Sequence, residues 1–215
     1  MKISLIHPSR GRAEQAHKTF ALWLASASIN CDIEHILSLD HDDPEYKKYC
    51  LLFQDSIIIC NNNSGIVEAT NKAAKKATGD ILAYLSDDFE CPKNWDEEII
   101  SRLSISNKWL LRVNDGYQPF ENLVLTIPIM SRELYEELGY FFNPLYKSQW
   151  CDCDLYFVTQ KYIINAPDLV FKHNRLPNDD TYERNNLNFE TGRDIFRQRA
   201  VEFGWLNPFN KLKHD

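Results

Sequence analysis

Ile81 to Leu85 is a continuous apolar run that stops abruptly at Ser86-Asp87-Asp88, and no other stretch restricts the fold as tightly. A short apolar run with polar ends reads as a strand buried on both faces, the situation of a parallel sheet covered by helices. Two adjacent carboxylates then stand at the carboxyl end of a core strand, the edge where open α/β sheets bind ligands. Two unit charges about 4 Å apart repel by roughly 1 kcal/mol in water and about 4 at the effective dielectric of a protein surface, so the pair invites a cation. Oxygen ligands favour Mg²⁺ or Mn²⁺, held by one or two carboxylates and completed by substrate phosphates. The same residues also suit a solvated turn, with Asp capping the helix near Pro92.

The flanking chain alternates strand and helix. Lys2 to Ile6 reads as a first strand, broken by Pro8-Ser9-Arg10-Gly11-Arg12 before a helix with Ala16, Phe20 and Leu24 as apolar positions, joined by Leu22 and Trp23. Ile33 to Leu39 and Ser56 to Cys60 are further strands, each ending in a polar loop. Ile66, Ala69, Ala73 and Ala77 recur at helical spacing up to Thr78, with Gly79 as the glycine expected just past the helix end. Loops that follow successive parallel strands gather on one sheet edge.

Beyond a helix with Trp95, Ile99, Ile100 and Leu103, strands are expected over Trp109 to Val113 and Leu123 to Met130. Their loop, Asn114 to Asn122, carries Tyr117 and Phe120 and suits either sugar stacking or a plain hairpin. Ser131 caps a helix over Arg132 to Leu138, ended by Gly139. Cys151-Asp152-Cys153-Asp154-Leu155 enters a helix towards Gln160, with Asp152 near its N-terminus. Asp168 to Lys172 reads as a strand followed at once by His173, and a helix-like stretch runs from Gly192 to Phe203.

Composition narrows the class. With 215 residues, 44% hydrophobic and 26% charged, the chain is long enough for one ordinary globular core. A net charge of −7 argues against non-specific binding to nucleic acid or anionic membrane. The six cysteines form no Cys-x-x-Cys pair, which disfavours structural zinc, and free thiols in a reducing cytoplasm are expected. No apolar run approaches the length of a membrane span, and the apolar start is too short for a signal peptide.

Taken together, these motifs resemble the family 2 glycosyltransferases of the GT-A fold over about residues 2 to 173. The resemblance implies an α/β fold with a nucleotide-binding, mostly parallel central sheet flanked by helices. Residues 1–173 would form that domain, and 174–215 a C-terminal extension packed on it. Pro8-Ser9-Arg10 resembles the segment near the nucleotide, Asp40 the acid that contacts the base, and Asn63-Ser64-Gly65 through Asn71 the turn and helix behind it. Ser86-Asp87-Asp88 resembles the family's metal motif, with Ser86 in place of an acid. It implies Asp88 as metal ligand and Asp87 as a ribose or metal contact. Cys151-Asp152-Cys153-Asp154-Leu155 resembles the catalytic-base segment, with Cys151 in place of Glu, implying Asp152 as base and Asp154 as support. His173 stands where many members complete the metal site.

The implied activity is transfer of a sugar, with inversion, from a nucleotide-diphosphate sugar, a UDP-sugar by first choice, to an acceptor hydroxyl with Mn²⁺ or Mg²⁺. Arg10 or Arg12 would support the phosphates. A nucleotidyltransferase making the sugar nucleotide and a non-catalytic nucleotide- or sugar-binding module are the alternatives. The acceptor is expected to be a carbohydrate or another hydroxyl compound, with a modified nucleic acid less favoured. From Lys172 onward the balance is +1, against −8 for the rest. Arg193 and Arg197, with Lys172 and Arg184 nearby, are therefore either a solvated face paired with Glu190 and Asp194 or a guide for a polyanion.

Overall fold

The computed structural model describes residues 1–28, 31–63, 65–103, 106–174 and 186–205. Ser64, Arg184 and much of the expected C-terminal extension lie outside the described residues. In chain order the elements are β1 (Lys2–Pro8), α1 (Ala13–Ser26), β2 (Asp32–Asp40), α2 (Tyr46–Leu52), β3 (Ile57–Asn61), α3 (Ile66–Lys76), β4 (Ile81–Tyr84) and β5 (Phe89–Glu90). Then follow α4 (Trp95–Ser101), β6 (Leu110–Asn114), β7 (Pro128–Ser131), α5 (Arg132–Leu138), α6 (Cys151–Thr159), β8 (Ile163–Val170), β9 (Lys172–His173) and α7 (Phe189–Glu202).

A seven-stranded sheet runs in the order β3-β2-β1-β4-β7-β6-β8, with β7 antiparallel to both neighbours and the remaining pairs parallel. The two-residue alternation of strands sorts the core onto both faces. Ile81, Ala83 and Leu85 join Ile3, Leu5, Trp23 and Trp95 on the side of α1 and α4. Leu82 and Tyr84 join Ile6, Ala73, Leu134, Leu155 and Phe196 on the side of α3, α5, α6 and α7. Each residue from Ile81 to Leu85 is at most 8% exposed, so the run is buried on both faces.

Two tryptophans tie this core to the chain that follows the acidic loop. Trp23 donates from its indole to Phe89 O at 2.9 Å, and Trp95 donates to Trp23 O at 2.8 Å. Removing a buried ring of this size costs about 3–5 kcal/mol.

Several sequence expectations need correction. In α1 the buried positions are Ala13, Ala16, Thr19 and Trp23, while Leu22 and Leu24 are exposed, because the covered face is centred one residue away from the expected one. Helix α3 ends at Lys76, and Gly79 does not terminate it. A Cβ at Gly79 would lie 2.6 Å from Ser4 Oγ and 2.8 Å from Lys2 O, so glycine is needed for close approach to β1. The strand expected over Leu123 to Met130 is only Pro128–Ser131. Its ladder stops at Pro128, which has no N–H, opposite Arg112, whose guanidinium donates to the carbonyls of Phe120 and Asn122 and gathers the preceding chain into a loop. The strand expected over Asp168 to Lys172 is divided between β8 and β9, since the buried Phe171 donates its N–H to Asn114 O at a register shift. Helix α2 and strand β5 were not expected at all.

Helix α7 docks through the buried Phe196 and Ala200. Its Arg193 pairs with Glu190, and its Arg197 lies 3.7 Å from Asp194, so each arginine has an acidic neighbour on its own helix.

Candidate active site

The carboxyl edge of β1, β2 and β3 opens on a cleft of about 850 Å³. Pro8, Ser9, Arg10, Asp40, Asn63, Gly65 and Asn71 all line it, joined by Arg12 and by Tyr146 to Ser148. Asp87, Asp88, Asp152 and His173 do not line this cleft.

Much of the cleft wall is acid–base paired. Arg10 bridges Asp40 at 2.9 Å and Asp42 at 2.6 Å, and its pKa is raised by Asp42 first and Asp40 after it. Asn63, in the left-handed region at φ 54°, donates its backbone N–H to Asp40 and its amide to Asp42. Gly65 has φ 98°, and a Cβ there would sit 2.6 Å from Lys147 O, so the turn before α3 tolerates only glycine. Asn71 accepts from Phe141 N and Phe142 N at 2.9 Å and donates to Phe142 O at 2.7 Å. Its amide therefore holds the chain after α5 against α3.

The two adjacent aspartates differ sharply. Asp87 is 1% exposed and accepts from His7 Nε2 at 2.7 Å and Ser9 Oγ at 2.8 Å, with Arg12 Nε at 3.2 Å. Its carbonyl accepts from Thr19 and Gln15. Asp88 is the partner turned outward: Ser86 donates to its Oδ1 at 2.7 Å and His173 Nε2 lies 3.2 Å from its Oδ2. Burial raises the Asp88 pKa, but the hydrogen bonds from His173 and Ser86 outweigh it and leave the carboxyl below its ordinary range.

His173 reaches Asp88 from 85 residues away because β5 and β9 pair antiparallel, matching Phe89 with His173. The Phe89 and His173 rings stack at 4.3 Å, Asp115 O accepts from His173 N, and Asn174 N donates to Asp88 O. Tyr117, 52% exposed, meets the His173 ring edge-on at 5.9 Å, whereas Phe120 lies under the Arg112 guanidinium at 4.1 Å. Among the described residues no group of three or more His, Cys, Asp or Glu could hold a metal by itself. One carboxylate and one imidazole fit a divalent ion whose shell is completed by phosphate and water, and the nitrogen suits Mn²⁺ better than Mg²⁺.

Asp152 sits half-buried in the first turn of α6, its carboxylate accepting from Cys153 N at 2.9 Å. Tyr84, at the end of β4, packs with Cys151 in one core cluster, and the charges of Asp87 and Asp88 raise its pKa after burial itself. The start of α6 and the acidic loop thus flank the same side chain. Asp154 is fully buried and takes Tyr146 at 3.1 Å, Asn143 at 3.3 Å and Arg199.

The sequence reading missed His7, Thr19 and Gln15, and left Arg12 as an alternative to Arg10. A histidine inside an otherwise apolar strand was the available signal for His7.

A family model described as glycosyl transferase family 2 matches residues 5–139. Among solved structures, Staphylococcus aureus TarS 1-349 in complex with UDP-GlcNAc is similar, with TM-score 0.64 and 14% identity over 85% of this chain and 61% of that one. The mannosyltransferase PcManGT from Pyrobaculum calidifontis, in complex with GDP-Man and Mn²⁺, is similar with TM-score 0.67 and 14% identity over 92% of this chain and 64% of that one. The chain thus spans less than two thirds of either protein. No curated protein sequence matches it. Among the described residues no helix is long and apolar enough to cross a membrane.

Proposed function

This chain belongs to glycosyl transferase family 2, and on that premise we propose that it moves a sugar from a nucleotide-diphosphate donor to an acceptor hydroxyl with the help of a divalent ion and with inversion. The family match favours this over a nucleotidyltransferase. One observation carries the metal reading: Asp88 and His173, distant in sequence, meet at 3.2 Å on the carboxyl edge of the sheet. Asp88 and His173 would hold Mn²⁺ or Mg²⁺, which supplies charge to the departing diphosphate. The UDP-GlcNAc and GDP-Man seen in TarS and PcManGT support a nucleotide-sugar donor here as well.

Residues of the chain then divide the work. Asp40, an acceptor-only carboxylate oriented by Arg10 and Asn63, offers oxygens to the N–H of a pyrimidine base, and a UDP-sugar is the first choice. Pro8, Ser9, Gly65 and Asn71 shape the cleft around the nucleotide, and Asp87 keeps Arg12 facing it. Asp152 takes the acceptor proton, because it is a half-buried carboxylate in the first turn of α6, whereas Asp154 is fully buried in bonds to Tyr146, Asn143 and Arg199. A single base acting opposite the leaving group gives inversion. The acceptor is a carbohydrate or another hydroxyl compound; the self-paired Arg193 and Arg197 offer little to a polyanion.

The test is a panel of UDP-, GDP- and dTDP-sugars assayed for hydrolysis and transfer with Mn²⁺, Mg²⁺ or chelator. Turnover of one donor, abolished by chelation and giving the inverted anomer by NMR, is expected. Metal-independent turnover would remove Asp88 and His173 from the metal role, and a retained anomer would remove the single-base mechanism.

A further inference from the structure

A hydrogen-bonded line of side chains runs from the loop before β3 to the acidic loop. Ser56 Oγ lies 2.6 Å from His35 Nδ1, His35 Nε2 lies 2.9 Å from His7 Nδ1, and His7 Nε2 lies 2.7 Å from Asp87 Oδ1. His7 is 0% exposed and His35 6%. The ring of His35 is sandwiched by Phe20 at 3.8 Å and Phe53 at 5.5 Å, so it has no freedom to turn.

The Asp87 end decides the order of donors. An ionised carboxylate only accepts, so His7 carries a proton on Nε2, and as a neutral ring it accepts at Nδ1. His35 must then donate from Nε2 and accept at Nδ1, which only the Ser56 hydroxyl can satisfy. Burial, and His7 after it, push the His35 pKa well below its ordinary value, in keeping with a neutral ring. At the near end Asp87 is gripped through its carboxylate by His7, Ser9 and Arg12 and through its carbonyl by Thr19 and Gln15. That carbonyl belongs to the peptide bond leading into Asp88.

We propose that His7 is a positioning residue that fixes Asp87, and with it the origin of the Asp88 side chain, in a tautomer set by His35 and Ser56. Its consequence for metal affinity rests on the metal-dependent reading above; its geometry does not.

Two substitutions separate the ends of the ring. His7→Gln places an amide N–H near the position of Nε2 and keeps a donor to Asp87, while His7→Asn reaches only the position of Nδ1 and loses it. Calorimetric titration of Mn²⁺ into each protein with UDP is expected to show about a tenfold weaker midpoint for His7→Asn, the scale of one hydrogen bond to a charged group, with His7→Gln recovering most of the loss. Equal affinities in the two variants, with equal falls in melting temperature, would reduce His7 to a core residue and overturn the proposal. If His7→Asn does not fold, Ser56→Ala is titrated in its place. A weaker Mn²⁺ midpoint supports the relay and an unchanged one overturns it. Long-range ¹⁵N–¹H spectra of the wild-type protein decide the geometry independently. Protonated Nε2 and bare Nδ1 on both rings are expected, and protonated Nδ1 on His7 would sink the idea. Wild-type protein that shows these tautomers but binds no Mn²⁺–UDP would instead fault the metal-dependent reading.

Discussion

Arg199, in the last turn of α7, forms a buried ion pair with Asp154, in the first turn of α6, across 45 residues of chain. The pair fastens the helix that presents Asp152. Removing the cation strands a carboxylate that is already costly to ionise, since burial raises its pKa despite Arg199. Arg199→Met is expected to lose about 3–5 kcal/mol in urea unfolding at neutral pH. The loss should shrink as the pH falls and Asp154 takes up a proton. Asp154→Leu combined with Arg199→Met should recover most of it, and an Arg199→Met protein as stable as wild type would contradict the pairing.

Metal-dependent nucleotide binding should depend on Asp88 and His173 together. Asp88→Asn and His173→Ala are each expected to weaken Mn²⁺-dependent UDP binding by at least about tenfold, the lower end of what even outer ligand partners contribute. Calorimetry with Mn²⁺ and with chelator measures this, and Asp88→Asn binding as tightly as wild type would take the carboxylate out of the metal shell.

Chemistry should separate from binding at Asp152. Asp152→Asn keeps the shape but loses the base, so kcat should fall by about 10² to 10⁴. The KM for the donor and the affinity for UDP should hardly change. Transfer near the wild-type rate would move the base elsewhere in the site.

A pH signature away from the site should come from Glu34. Its carboxylate is half-buried, which alone would raise its pKa, yet bonds from Ser4, Thr78 and Lys2 bring it down to about 2. A depressed carboxylate stabilises the fold above its unfolded pKa, near 4.3, and that contribution is lost as the pH falls through about 2. Glu34→Gln should therefore cost about 1.5–3 kcal/mol at pH 7, with the two proteins converging towards pH 2. Thermal melts from pH 2 to 7 test this, and a pH-independent gap would refute the assignment.

The strands were legible because burial on both faces leaves an uninterrupted apolar run, as at Ile81–Leu85, and the end of such a run announces a loop. His173 was legible only through the order of motifs, since a two-residue strand such as β9 carries no periodicity. Helix α2, at seven residues, is too short to establish a pattern, and it is held by its buried Tyr49, whose hydroxyl accepts from Arg12 N, and by Glu45, which accepts from Ala13 N. Gly79 was misread because a glycine after a helix looks the same whether it supplies a left-handed turn or a close approach to Ser4. The division of labour between Asp87 and Asp88 was out of reach for a similar reason. Neighbouring residues in a chain say nothing about which will meet His7 and which will meet His173.

The short ribbon of β5 and β9 gives the site a timetable. Ribosomes add about 5–20 residues per second, so the 85 residues from Asp88 to His173 take roughly 4 to 17 s to make. Throughout that interval a nascent chain carries the acidic half of the site without its imidazole. Any chain released early, or nicked between the two halves and parted, is left with Asp88 but without the His173 that meets it.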